Sequence, residues 1–121
     1  MIVDDFKEWR LRLRSFLELI PGFRVVCEAA DGLEAVEKAA QWLPDIVLLD
    51  IGLPLLNGYD VCRRIRERDM TRSPVIIALS GWGQEEDKRR SKEAGFNFHM
   101  VKPVEPAALE RFLGGLLLTP D

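Results

Sequence analysis

Apolar residues in this chain fall into two patterns, short uninterrupted runs and stripes with a period near 3.6, and the two alternate. The uninterrupted runs are Met1-Ile2-Val3, Ile46-Val47-Leu48-Leu49 and Val75-Ile76-Ile77-Ala78-Leu79, and residues 23–28 and 96–101, though broken by polar residues, also read as strands. Runs without alternation predict parallel strands buried on both faces. The first is very short for a central strand. Between the runs lie helical stripes. Trp9, Leu13, Phe16, Leu17 and Ile20 mark a helix over residues 6–20, closed by Pro21-Gly22. Asp31-Gly32 turns into a second helix over 33–43, with Val36, Ala39, Ala40 and Leu43 inward and Pro44 as its stop. A third opens at Asn57-Gly58 with Val61, Cys62 and Ile65 inward, and the last covers 105–118 with Leu109, Phe112, Leu113, Leu116 and Leu117. Arg10, Arg12 and Arg14 on the first helix, and Arg63, Arg64, Arg66 and Arg68 on the third, read as solvated sides.

Residues 84–94 depart from this scheme. They have helical propensity, yet Ala94 is their one apolar residue, and Ser91 stands where an inward stripe wants a small apolar group. Such a helix is held mainly by its ends and neighbours. Strand and helix patterns thus alternate five times, with crossovers long enough for a helix. That predicts one α/β domain over residues 1–121, a doubly wound parallel sheet covered on both faces.

Composition narrows the function classes. A chain of 121 residues suits one domain with a real core, and 47% hydrophobic with 31% charged residues is an ordinary soluble balance. A net charge of −3 gives no electrostatic footprint for nucleic acid or a membrane surface. No signal peptide or membrane span is visible. Cys27 and Cys62 lie in apolar surroundings, which predicts free thiols in a reducing cytoplasm. His99 is the single histidine, so two-histidine zinc motifs are excluded.

The chemistry-bearing residues sit where strands end. Asp4 and Asp5 end the first, Asp50 the third, Ser80 the fourth and Lys102 the fifth. In a parallel sheet those ends share one edge, where open α/β folds place their ligands. Taken singly, Asp50 reads equally as a turn residue, Ser80 as a helix cap and Lys102 as a surface lysine. Their joint placement favours a common site. Three carboxylates there would raise one another's pKa values unless positive charge lies among them. A lysine and Mg²⁺, which takes a few carboxylates and keeps exchangeable waters, would supply it. Such a site suits covalent catalysis by a carboxylate: Asp50 attacks phosphorus, and Lys102 and Ser80 bind the oxygens of the transferred group.

With these residues in place, the whole chain resembles the receiver domain of bacterial two-component response regulators, the CheY-like superfamily. The matching features are Asp4-Asp5, Asp50 followed by Leu53-Pro54 and Asn57-Gly58, Ser80-Gly81 and Lys102-Pro103. Thirty residues separate Asp50 from Ser80, and twenty-two separate Ser80 from Lys102. The resemblance implies a flavodoxin-like five-stranded sheet in order 2-1-3-4-5 with five helices. It implies Asp50 as phosphoacceptor, with Mg²⁺ held by Asp5, Asp50 and the Gly52 carbonyl, helped by Asp4. A cis bond before Pro103 is a further implication. The donor would be a phosphohistidine on a sensor histidine kinase or histidine phosphotransfer protein. An attached or separate output domain would follow, with a homodimer through the face of the fourth helix, fifth strand and fifth helix. Such a domain catalyses its own phosphorylation and dephosphorylation and is not otherwise an enzyme.

Departures from the family pattern single out three positions. Where the family usually carries an aromatic switch residue, three before the lysine, this chain has His99. It reads either as the switch, with hydrogen-bonding capacity that a phenyl ring lacks, or as a partly exposed bystander. Gly52 offers no side chain to orient an attacking water, and Trp82 would cover the phosphoryl group or pack over its loop. Together they predict a long-lived phosphorylated state. Residues 95–104 resemble receivers of hybrid kinases, whereas the first half is closer to regulators with DNA-binding outputs. Among rivals, a haloacid dehalogenase would need a second aspartate where Gly52 stands. A flavodoxin would need a phosphate loop where Asp4-Asp5-Phe6 would repel a flavin phosphate. A degenerate receiver acting as an interaction module is the remaining alternative.

Overall fold

The two longest apolar runs lie side by side at the centre of the sheet. The computed structural model describes residues 1–53, 55–68, 73–81, 85–102 and 104–118, without the side chains of 85–87, 117 and 118. Five strands alternate with five helices along the described residues: β1 (Ile2–Val3), α1 (Lys7–Leu17), β2 (Glu28–Ala29), α2 (Gly32–Trp42), β3 (Ile46–Asp50), α3 (Gly58–Glu67), β4 (Val75–Ser80), α4 (Glu85–Ala94), β5 (Phe98–Val101) and α5 (Pro106–Leu118). All ladders are parallel, in the order β2-β1-β3-β4-β5. β3 and β4 pair from Ile46↔Val75 to Asp50↔Leu79.

Successive strand residues face opposite layers, so each run feeds two cores. Val47, Leu49, Ile76 and Ala78 pack with Ala35, Ala39, Val61, Cys62 and Ile65 from α2 and α3. Leu48, Ile77 and Leu79 pack with Leu13 and Leu17 of α1 and Leu109 and Leu113 of α5. Helix α4 gives the core Ala94, with Ser91 buried beside it.

Local chemistry fixes the helix starts nearest the sheet's carboxyl edge. The Asp31 carboxylate caps α2 by accepting from the Glu34 N–H, and the Asn57 side chain caps α3 by accepting from the Asp60 N–H. Gly58 is required by close approach: a Cβ there would lie 2.5 Å from Ile51 Cα and 2.8 Å from the Asp50 carbonyl oxygen. Its N–H donates to the Ile51 carbonyl at 2.8 Å, which ties the start of α3 to the end of β3.

Several expectations are corrected. Of residues 23–28 only Glu28 lies in a strand, which continues to Ala29, because β1 offers two pairing residues, Ile2↔Glu28 and Val3↔Ala29. β5 begins at Phe98 rather than residue 96, since the Phe96 N–H donates to the Ser91 carbonyl and closes the turn after α4. α1 ends at Leu17, and Leu19 and Ile20 follow in a tightened turn that donates to Phe16 and Leu17. The arginines are less solvated than the helical pattern implies. Arg10 and Arg14 both pair with Glu28, and Arg66 donates to the carbonyls of Pro74 and Gly95. Among the described residues, no helix is long and apolar enough to cross a membrane.

Candidate functional site

The carboxyl edge of the sheet brings the acidic residues together. Asp4 follows β1 directly and its N–H still donates to Ala29 at 3.1 Å, so its side chain starts inside the fold and is 2% exposed. Asp50 is the last residue of β3 and is also buried, whereas Asp5 is exposed. One carboxylate oxygen from each of Asp4, Asp5 and Asp50 lies within 4.8 Å of the others. Lys102, just beyond β5, reaches back with its Nζ 2.9 Å from Asp4 Oδ2 and 3.5 Å from Asp50 Oδ1. The Lys102 N–H donates to the Ser80 carbonyl at 2.7 Å, which fixes where the lysine leaves the sheet.

Two of these carboxylate oxygens also accept from backbone N–H groups. Asp4 Oδ1 accepts from the Phe6 N–H at 2.9 Å, and Asp50 Oδ1 accepts from the Gly52 N–H at 3.2 Å. Burial raises the Asp50 pKa above its usual value. The Lys102 charge opposes that rise and the Asp4 charge adds to it. Burial works against the Lys102 ammonium, yet the hydrogen bond to Asp4 and the negative charge of Asp50 and Asp4 outweigh it and raise its pKa. The carboxylate cluster is therefore under-neutralised, and its donor set is all oxygen. That chemistry suits a hard divalent cation.

The family model of the response regulator receiver domain matches residues 1–113. The chain belongs to that family. It is 36% identical to the chemotaxis protein CheY of Thermotoga maritima over 107 residues, 88% of this chain and 87% of that one. It is 38% identical to the probable transcriptional regulator ycf27 of Guillardia theta over 117 residues, 97% of this chain but 44% of the relative. It likewise spans 51% of the nitrate/nitrite response regulator NarL of Escherichia coli. Among solved structures, the receiver domain of a sensor histidine kinase from Pseudomonas aeruginosa superposes with a TM-score of 0.85 at 32% identity. That match covers 98% of this chain and 95% of the other, whose active-site cleft coordinates a magnesium ion.

Around the acid cluster of this receiver domain lies a second group of contacts. Ser80 ends β4 and is buried, with its Oγ 3.0 Å from His99 Nε2. The other ring nitrogen, Nδ1, lies 2.9 Å from Ser91 Oγ on α4. His99 is thus half-buried, with a serine hydroxyl beside each ring nitrogen. Gly81 is exposed, and a Cβ there would meet nothing within 4 Å. Trp82, Pro103 and Pro54 lie outside the described residues.

Three contributors escaped the reading of the sequence. The guanidinium of Arg10 donates to the Asp4 carbonyl at 2.8 Å while its Nε pairs with Glu28 Oε1 at 3.1 Å, bracing β1 against β2 at the site. The Trp9 ring lies 6.0 Å from Lys102 Nζ and flanks the ammonium. Ser91 is the third, and its place on a charged helix gives no hint of a histidine partner on the next strand.

Proposed function

We propose that this domain is the phosphoacceptor of a two-component phosphorelay, with Asp50 as the residue phosphorylated. The observation that carries this reading is a buried carboxylate ending the central strand, bridged to Asp4 by the Lys102 ammonium and lying beside Asp5. An Asp50 oxygen attacks the phosphorus of a phosphohistidine in line. The new O–P bond forms as the N–P bond breaks, and the imidazole leaves and regains a proton. Lys102 neutralises charge on the transferred oxygens, and the Ser80 hydroxyl donates to one of them.

Asp4, Asp5 and Asp50 would hold Mg²⁺, joined by the carbonyl of Gly52, whose N–H donates to Asp50 Oδ1 and so keeps that residue beside the cluster. When bound, the ion supplies positive charge to the oxygens of the phosphoryl group. Gly52 leaves open the space beside Asp50, as a Cβ there would come only to 4.0 Å of Oδ1. With no side chain there to direct water, and with Trp82 nearby in sequence, the acyl phosphate is long-lived.

The donor is a phosphohistidine on a sensor histidine kinase or phosphotransfer protein, and the free thiols of Cys27 and Cys62 suit a cytoplasmic setting. Because the chain spans about half the length of the ycf27 and NarL relatives, an attached or separate output domain completes the pathway. The face of α4, β5 and α5 carries the signal to it or to a second copy. Phe98 and Val101 are exposed on β5, with Phe98 edge-on to Phe112 of α5 at 4.7 Å between ring centres. No catalysis on another substrate is proposed.

The test is incubation with a small phosphodonor, with and without Mg²⁺, followed by intact mass. The expected result is a gain of one phosphoryl group that needs Mg²⁺ and is lost in Asp50→Ala. No gain in the unaltered protein, or an equal gain in Asp50→Ala, overturns the reading.

A further inference from the structure

The Ser80 hydroxyl belongs to a hydrogen-bonded chain that crosses from the sheet to α4. Ser80 Oγ and Ser91 Oγ lie 3.0 Å and 2.9 Å from Nε2 and Nδ1 of the same imidazole. β4 and β5 hold the first contact in register through Ala78↔His99 and Ser80↔Val101. The second contact comes from α4, where Ser91 is 2% exposed among residues that are otherwise mostly charged.

A neutral imidazole has one N–H and one lone pair, so the chain has two hydrogen orders. In one, Nδ1–H donates to Ser91 and the Ser80 hydroxyl gives its single hydrogen to Nε2. In the other, Ser91 donates to Nδ1, Nε2–H donates to Ser80, and the Ser80 hydrogen points away from the ring. The carboxylates of Asp4, Asp5 and Asp50 share the sheet edge at which Ser80 ends β4. A hydroxyl dipole orients in such a field with its hydrogen toward the negative cluster. That selects the second order.

We propose that Ser91 is a positioning residue acting through His99. By donating to Nδ1 it holds the ring in the Nε2–H tautomer and so aims the Ser80 hydrogen at the acidic site. The consequence rests on the reading of Asp50 as phosphoacceptor, because the aimed hydrogen is the one an acyl phosphate oxygen would take. It also makes the hydrogen order of the site depend on where α4 lies. Moving α4 withdraws the Ser91 donor and lets the ring reclaim the Ser80 hydrogen.

His99 is the single histidine, so its ring ¹⁵N signals need no assignment. They are recorded on the whole domain at a pH where those signals show a neutral ring, for the unaltered protein, Ser91→Ala and Ser91→Thr. The unaltered protein and Ser91→Thr are expected to show hydrogen on Nε2, and Ser91→Ala a several-fold larger share on Nδ1. Phosphorylation by the small donor, followed by intact mass, is expected to slow several-fold in Ser91→Ala and recover in Ser91→Thr. In a His99→Phe background, Ser91→Ala should have no further effect on that rate. The same tautomer in all three proteins overturns the proposal, as does a rate loss in Ser91→Ala that persists undiminished beside His99→Phe. If no protein gains a phosphoryl group, the Asp50 reading fails, and the ring signals alone still decide whether Ser91 sets the tautomer.

Discussion

Asp50 and Lys102 bear on stability with opposite signs. Burial raises the Asp50 pKa, so across the window between its ordinary value and that raised value the folded chain holds more protons than the unfolded one. Asp50 therefore lowers stability as pH rises through that window. Asp50→Asn removes the charge and keeps the shape. It is expected to stabilise the domain at neutral pH by about 1 kcal/mol, a Tm rise of roughly 3–5 °C. It should also flatten the acid limb of the stability profile, and a Tm unchanged or lower at neutral pH would refute this account. Lys102 has the opposite sign. Its raised pKa stabilises the fold at all lower pH and is lost only in strong alkali. Lys102→Ala leaves Asp4, 2% exposed, without its 2.9 Å partner. With Lys102 itself partly exposed, the expected loss is about 2 kcal/mol, read from urea midpoints at constant m. Asp50 and Lys102 were legible in the sequence because charge type and strand ends coincide. Ser91 was not, since its meaning depends on an imidazole that faces it across a turn.

At the scale of elements, α4 and α5 differ in what they give the core. α5 buries Leu109 and Leu113, whereas α4 contributes Ser91 and Ala94, with Arg90 lying 4.5 Å over the Tyr59 ring. Local opening of α4 exposes little apolar surface and so costs little. Amide hydrogen exchange is expected to be faster in α4 than in α5 by at least tenfold, with α4 gaining protection on phosphorylation. Equal protection in both helices would remove the basis for a mobile α4. The sequence showed this contrast directly, because it is a contrast of composition. It misread Arg66, which looks solvated on a helical wheel. Its guanidinium donates to the Gly95 carbonyl at 3.0 Å, the Pro74 carbonyl at 2.6 Å and Asn97 Oδ1 at 2.5 Å. Asn97 Oδ1 also accepts from the Ile76 N–H at 2.8 Å. One planar fork thus joins the end of α3, the start of β4 and the turn into β5. Arg66→Ala is expected to cost about 2 kcal/mol by urea denaturation. Arg66→Lys should recover less than half, since an ammonium cannot fill a fork. A full recovery by lysine would mean that charge alone matters there.

The whole molecule separates these duties between the two edges of one sheet. The amino edge of β4 is satisfied by Arg66 and Asn97, while the carboxyl edge gathers Asp4, Asp5 and Asp50 against one close ammonium among the described residues. Alternating runs and stripes revealed the parallel layers and hence the shared edge. The strand order came with the family resemblance, because periodicity does not say which strands are neighbours. An edge with unbalanced charge has a measurable consequence. A ligand that binds only the folded state stabilises it, and Mg²⁺ at about ten times its dissociation constant would add about 1.4 kcal/mol. The unaltered protein should therefore gain roughly 3–6 °C in Tm with Mg²⁺ and lose it again with a chelator. Asp50→Asn, already relieved of one charge, should start higher and gain much less. The two melting temperatures then converge as Mg²⁺ is added. If Mg²⁺ raised both proteins equally, the ion would be binding elsewhere, and the acid edge would have no claim to it.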